Sequence, residues 1–361
     1  MHGLITRRDF LERTAVAAAA AAVVSSSRGL AAQSSSGHMF ISLNGAVAPR
    51  VGPWPAKAEL AAKIGYGGVD WDFAPAKEAG VDATKALFDR LKIVPTITNL
   101  PMRGPFGGEE DAFDAQLAQL EEDAAFSAAI GCHKWMTTLS PASALPKEQQ
   151  RELVVGRLKK ISAALAKSDV RLGLEFLGPL YMREGGPGGA PRGGGPRGVP
   201  GAAPAAPAGG EGNGREGGRR GGGRRGGGGP RIPFIWTLPE TVALGKDGGE
   251  NIGVILDVWH WHHSEGTIAD ITSTDKARIV HVHISDAKPM PPEEVRDNMR
   301  LMPGEGSIDL VGFLQALQKI GYTDGVSPEP LGRIPPDMSA EEAAKLGYDT
   351  TMAVMKKAGV I

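Results

Sequence analysis

The chain has 361 residues, a formal net charge of -1 and a single cysteine, Cys132. One cysteine excludes an intramolecular disulfide and a thiolate-held metal cluster, so any metal has to rest on carboxylates and imidazoles. Residues 183–231 carry nine arginines against three glutamates, which leaves the remainder acidic and poorly suited to a polyphosphate backbone.

In chain order, the first element is an address rather than part of a core. Thr6-Arg7-Arg8-Asp9-Phe10-Leu11 precedes an apolar run from Ala15 to Val24, and small residues around Ala31-Ala32 offer a cleavage point. A paired arginine ahead of a short apolar run is the pattern of a twin-arginine export signal. Residues 1–32 are therefore expected to be removed, and the mature protein to be periplasmic or extracellular. The alternative is an Ala-rich helix that happens to follow two arginines. No stretch approaches the roughly 18 apolar residues of a membrane span, so no membrane association is expected after signal removal.

Beyond residue 38, short β-rich apolar runs alternate with helix-period segments. The expected strands are Met39–Leu43, Gly68–Phe73, Val94–Leu100, Lys134–Leu139, Arg171–Leu177, Gly253–Trp259, Ile279–Ser285 and Gly325–Pro330. Helical patterns such as Ala112–Ile130, Lys147–Lys167 and Leu310–Ile320 lie between them, with Gly65, Gly131 and Gly321 where helix C-caps should fall. Eight such units predict an α/β fold of one domain, a (β/α)8 TIM barrel over residues 38–361. No G-x-G-x-x-G follows the first strand, which disfavours a dinucleotide-binding sheet.

Residues 184–231 break the pattern after the fifth strand. They are nearly all Gly, Pro, Ala and Arg, a composition that cannot build a core, and are expected to be a disordered insertion at the rim. Gly-Gly-Arg-Arg repeats can contact anionic polymers, but a solvated, idle insertion is the simpler reading.

A barrel of this kind carries its active site at the C-terminal ends of its strands. Strand five ends in Leu174-Glu175-Phe176, strand six in Leu256-Asp257-Val258-Trp259-His260, strand seven in His281-Val282-His283-Ile284-Ser285-Asp286, and strand eight in Ser327-Pro328-Glu329-Pro330. A carboxylate after an apolar run is expensive to bury unless it is paired or bound to a cation. A structural ion pair is the rival for each residue alone, but four on consecutive strands point to one divalent metal. Three carboxylates and an imidazole suit Mn2+, Mg2+ or Co2+, with Zn2+ also compatible. His281 and His283 share a strand face, and His283, nearer the rim, is the expected ligand. His260 and His262 would share a face in the same way. His260 is the candidate substrate contact, with Trp259 and Trp71 as candidate pocket walls.

Taken together, Leu174-Glu175-Phe176, Leu256-Asp257-Val258-Trp259-His260, His281-Val282-His283, Pro303-Gly304-Glu305-Gly306 with Ile308-Asp309, and the segment from Gly321 to Pro330 resemble the xylose isomerase-like sugar phosphate isomerase/epimerase superfamily. The ketose 3-epimerases and hydroxypyruvate isomerases carry the most similar motifs. The resemblance implies metal ligands at Glu175, Asp257, His283 and Glu329. It further implies that Glu175 and Glu329 are the acid/base pair that moves a proton through a metal-stabilised enediolate. His260 matches a substrate-contacting histidine, and so does Arg300 an arginine if residues 287–299 are an insertion. Asp286 stands at a substrate-binding position where the epimerases usually have Glu, and Tyr181 where they have a second Glu.

The expected function is a metal-dependent isomerase or epimerase of a sugar, keto-sugar or small hydroxy-carbonyl compound. Its partner is a small carbohydrate, with no nucleic acid expected, and a homo-oligomer is compatible with the sequence. A lyase or dehydratase acting on a keto-sugar or keto-glycoside would begin with the same proton abstraction. An endonuclease-like phosphodiesterase would need a multi-zinc cluster for which further ligands are thin. A metal-stabilised binding protein without turnover is the remaining alternative.

Overall fold

The computed structural model describes residues 37–52, 54–184 and 231–361. The twin-arginine segment and residues 185–230, on which the export and insertion expectations fall, lie outside the described residues.

Strands β1 (Phe40–Leu43), β2 (Gly68–Asp70), β3 (Val94–Asn99) and β4 (Lys134–Leu139) alternate with helices α1 (Ala56–Ile64), α2 (Phe73–Ala79), α3 (Val81–Leu91) and α4 (Glu110–Ala129). After β4 come a two-residue strand β5 (Ala142–Ser143), α5 (Lys147–Ala166), β6 (Arg171–Phe176) and a single turn, α6 (Leu180–Arg183). The described chain resumes with β7 (Ile232–Pro233), α7 (Leu238–Gly248), β8 (Ile252–Asp257), α8 (Val258–His263) and α9 (Ile268–Thr272). It ends with β9 (Ile279–Ile284), α10 (Leu310–Lys319), β10 (Gly325–Pro328) and α11 (Ala340–Ala358).

Among the described residues, eight strands close in the order β1-β10-β9-β8-β6-β4-β3-β2, and every neighbouring pair is parallel. The chain is therefore a (β/α)8 barrel, as its alternating pattern predicts. β8 and β9 are buried at every residue, because a parallel barrel covers both faces of its strands and their sequences become continuous apolar runs. Ile97, Ile255 and Val280 form a small apolar cluster with Met136 packed against it, apart from the two larger clusters of the core. The expected cap glycines Gly65, Gly131 and Gly321 all have positive φ. β5 and β7 pair antiparallel, tying the segment after β4 to the chain where it returns at residue 231.

Parallel register sets the site. Asp257 pairs with His283, His283 with Ser327, and Thr138 with Glu175, so residues far apart in sequence arrive at one level of the barrel.

Two strands end earlier than their apolar runs suggest. β2 stops at Asp70, and Phe73 opens a helix. β8 stops at Asp257, whose Oδ1 accepts a 2.8 Å hydrogen bond from Trp259 N and caps α8. Trp259, His260 and His262 are consequently helical. His260 and His262 do not share a face: His260 is buried and His262 is exposed.

α8 lies directly against the end of β6. A β-carbon on Gly178 would sit 1.9 Å from the carbonyl oxygen of His260 and 2.8 Å from Ser264 N. Both obstacles are backbone, so no side chain can swing aside. Gly178→Ala is expected to cost about 1–3 kcal/mol through overpacking, read as a lower urea midpoint. An unchanged midpoint would mean that α8 can retreat freely.

Candidate metal and substrate site

The four expected ligands converge. Glu175, Asp257, His283 and Glu329 each offer one ligand atom, and these atoms lie within 4.8 Å of one another. Asp257 and His283 are fully buried, Glu175 is 7% exposed, and the Glu329 side chain is 15% exposed. His283 Nδ1 lies 3.0 Å from Glu175 Oε1 and 3.5 Å from Glu329 Oε2. Two further contacts hold the glutamates: Thr138 Oγ1 donates to Glu175 Oε2 at 3.5 Å, and Asn44 Nδ2 donates to Glu329 Oε1 at 3.5 Å.

Arg300 enters the same cluster. An antiparallel bridge between Asp286 and Leu301 returns the loop after β9 so that the guanidinium reaches it. Nη1 donates to Asp257 Oδ2 at 2.6 Å and to Glu329 Oε2 at 3.0 Å. Nε and Nη2 donate to Asp297 Oδ1 at 3.0 and 2.8 Å, and Nη2 lies 3.1 Å from His260 Nε2. Arginine only donates, so His260 Nε2 is the acceptor and the ring is neutral. Burial supports this by pushing the His260 pKa down, against the opposing pull of Asp257.

The electrostatics are those of crowded acids. Burial raises the Glu329 carboxyl to about 8, although His283 and Arg300 oppose it. Burial also works against a charge on His283, but Glu329 and Glu175 outweigh it and push the imidazole up to about 10. At Asp257 burial favours the neutral acid, and the Arg300 cation overcomes it to hold the carboxyl down at about 2.

This donor set fits a divalent cation. Oxygen or imidazole ligands roughly 2.0–2.3 Å from an ion stand about 3–4.6 Å from one another, the span seen here. A cation at that point would favour the carboxylate form of Glu329 and the neutral form of His283.

Three residues expected at the substrate have other surroundings. Asp286 is 1% exposed. Its Oδ1 accepts from Ala287 N and Ile308 N at 2.9 and 3.0 Å, and its Oδ2 from Gly304 N and Gly306 N at 3.1 and 2.9 Å. It organises the Pro303–Ile308 turn and is spent on backbone. Trp259 is 1% exposed and lies with the Arg300 guanidinium 4.6 Å above its ring. It supports Arg300 instead of walling a pocket. Trp71 is also buried, at 2%, against Phe73 and Phe126. Tyr181 accepts from Asp297 N through its hydroxyl at 3.1 Å, so it acts on the Arg300 support.

Sequence reasoning missed Asn44, Thr138 and Asp297. Asn44 follows the apolar run of β1 and could have been found by the strand-end rule that identified the acids. Thr138 lies inside a strand and Asp297 opens a single 3-10 turn, Asp297–Met299, and neither stands out.

Asp286→Ala removes the acceptor of four backbone N–H groups at a buried position. It is expected to cost about 3 kcal/mol or more, measured by chemical denaturation. A loss under about 1 kcal/mol would show that the turn finds other partners.

The family model described as xylose isomerase-like TIM barrel matches residues 58–185 and 229–356. Among curated proteins, an inosose isomerase of Halalkalibacterium halodurans is 36% identical over 115 residues, 32% of this chain and 40% of that protein. The chain thus matches less than half the length of that relative. A solved xylose isomerase domain protein of Alicyclobacillus acidocaldarius superposes with a TM-score of 0.70 at 24% identity, covering 89% of this chain and 99% of that one. The IOLI protein with a bound zinc atom superposes with a TM-score of 0.65 at 22% identity, again over 89% and 99%.

Proposed function

The chain belongs to the xylose isomerase-like TIM-barrel family, and from that premise we propose that it is a divalent-metal-dependent isomerase or epimerase of a small carbohydrate, a keto-sugar or keto-polyol. The observation that carries this reading is the convergence of Glu175, Asp257, His283 and Glu329 on one buried point at the C-terminal ends of their strands. The local likeness to inosose isomerases supports a cyclic keto-polyol as substrate, and the zinc atom in a structural neighbour supports the metal.

A proton beside a carbonyl is weakly acidic, and its removal leaves charge on the carbonyl oxygen. A bound divalent ion supplies Lewis-acid stabilisation of that charge. Glu175 and Glu329 meet at His283 Nδ1 and are placed to move the proton. With a divalent ion bound, Glu329 is favoured as the carboxylate, the form that can accept a proton from carbon. One carboxylate takes the proton to form an enediolate and the other returns one. Return to the opposite face of the same carbon gives an epimer, and return to the neighbouring carbon gives an aldose–ketose pair. Arg300, between Asp257 and Glu329, holds these two carboxylates in position, while His260 and Asp297 fix its plane.

The test is to incubate the protein with Mn2+ or Zn2+ and inososes, ketoses, keto-glycosides or hydroxypyruvate in D2O, following each substrate by NMR. Deuterium is expected to enter beside the carbonyl and an isomer to accumulate. Glu175→Gln and Glu329→Gln should each slow exchange by about 10²- to 10⁴-fold, and chelation should abolish it reversibly. An eliminated fragment in place of an isomer would make the protein a lyase. No exchange with any substrate despite bound metal would remove the enediolate chemistry.

We propose further that residues 1–32 direct export by the twin-arginine route, on the strength of Arg7-Arg8 ahead of the Ala15 to Val24 run. Among the described residues no helix is long and apolar enough to cross a membrane. Arg7→Lys combined with Arg8→Lys should retain a fused reporter in the cytoplasm, and undiminished export would sink the assignment.

A further inference from the structure

His283 presents one ring nitrogen to the cluster and the other to a second polar group inside the barrel. That group centres on Asp70, the last residue of β2. Asp70 Oδ1 accepts from Ser42 Oγ and from Ser327 Oγ, each at 3.1 Å. Ser327 Oγ in turn lies 2.7 Å from His281 Nε2, and Ser42 Oγ 2.7 Å from Thr96 Oγ1. These contacts hold one carboxylate oxygen and leave the other unspent. Among the described residues, Asp70 Oδ2, His283 Nε2 and His281 Nδ1 are buried without a hydrogen-bond partner. A carboxylate oxygen of Asp70 and one ring nitrogen each of His281 and His283 lie within 4.8 Å of one another.

Donor bookkeeping selects the partner. Ser327 has one hydroxyl proton and gives it to Asp70, so the contact between His281 and Ser327 must be a donation from His281 Nε2. A neutral His281 that donates from Nε2 has no proton on Nδ1, and that Nδ1 is buried without a partner. His283 Nδ1 faces Glu175 and Glu329. A His283 that gives the Nδ1 lone pair to a metal must carry its proton on Nε2, where Asp70 Oδ2 is the unspent acceptor. Two hydrogen bonds of about 2.8 Å meeting at one water span roughly 4.6 Å, and a carboxylate oxygen of Asp70 lies within 4.8 Å of a ring nitrogen of His283.

We propose that Asp70 is the positioning residue of the metal centre, accepting the His283 Nε2–H hydrogen bond through one water molecule. It thereby fixes the tautomer and ring plane that turn Nδ1 toward Glu175, Asp257 and Glu329. Ser42 and Ser327 hold Asp70 in turn, so strands β1, β2 and β10 act on a ligand carried by β9. The inference rests on the metal-centre reading above and assigns a role to a residue outside the ligand set.

The experiment compares the wild-type protein with Asp70→Ala and Asp70→Asn by two readings. The first is Zn2+ affinity, measured by competition with a fluorescent chelator. The second is the His283 imidazole N–H signal in the NMR spectrum of the Zn2+-loaded, ¹⁵N-histidine-labelled protein. Asp70→Ala should weaken binding by about 10- to 100-fold and move or broaden the N–H signal. Asp70→Asn, which keeps an oxygen acceptor, should lose less. Should the alanine variant not fold, the near-isosteric asparagine variant decides by the same two readings. Affinity unchanged within twofold in both variants would overturn the proposal. So would weakened binding with an unaltered N–H signal, since Asp70 would then act on the fold alone. Two ions per wild-type chain with one lost in the variants would also overturn it, because Asp70 would itself be a ligand. A wild-type protein that binds no divalent ion would instead bring down the metal centre and this role together.

Discussion

The mutual repulsion of acidic groups brought to one buried point is the constraint on which the rest of this site depends. Two like charges about 4 Å apart cost roughly 4 kcal/mol at the effective dielectric of a protein site. Glu175, Asp257 and Glu329 converge within 4.8 Å, and Asp297 stands just behind. The protein meets the repulsion in three ways. It supplies Arg300 as a cation with donors aimed at three carboxylates, it lets His283 take a proton, and it lets burial keep a proton on Glu329. A divalent ion performs the last two tasks at once, which is why a cation and this donor set suit each other.

The barrel makes such a concentration of charge affordable because its register is not negotiable. Asp257 is level with His283, and His283 with Ser327, through parallel pairing of buried strands. A one-residue slip would turn every side chain of a strand to its other face and expose a continuous apolar run. The apolar residues of β8 and β9 thus hold polar neighbours in a geometry those neighbours would not choose. The placement of these side chains is inherited from core packing.

Much of this was legible in the sequence, for one reason. A charged residue closing an apolar, β-branched run can be read without coordinates, and Glu175, Asp257, His283 and Glu329 all satisfy that pattern. The same signature misled at Asp286, which also closes such a run. There the compensating groups are four backbone N–H donors of a turn, and nothing in the one-dimensional pattern separates donors from a cation. Trp259 and His262 were misplaced because Asp257 caps a helix two residues earlier than an apolar run suggests. Asp70 passed unnoticed because β2 is three residues long, too short for alternation to mark its faces. The order of the closed barrel followed from the count of strand–helix units, whereas Arg300 was singled out by the resemblance alone, since residues 288–300 carry no pattern that marks the turn back onto the acids.

Arg300 spreads its donors over Asp257, Glu329, Asp297 and His260 while resting on the ring of Trp259. A lysine carries a single point charge on a flexible stem and cannot reproduce that planar fork. Losing Arg300 leaves buried carboxylates without their cation, at about 3–5 kcal/mol, a large share of the roughly 5–15 kcal/mol that holds a domain folded. The positions are therefore energetically coupled, and the effect of a substitution at one depends on what stands at the others. They form a single energetic unit, assembled from distant stretches of chain.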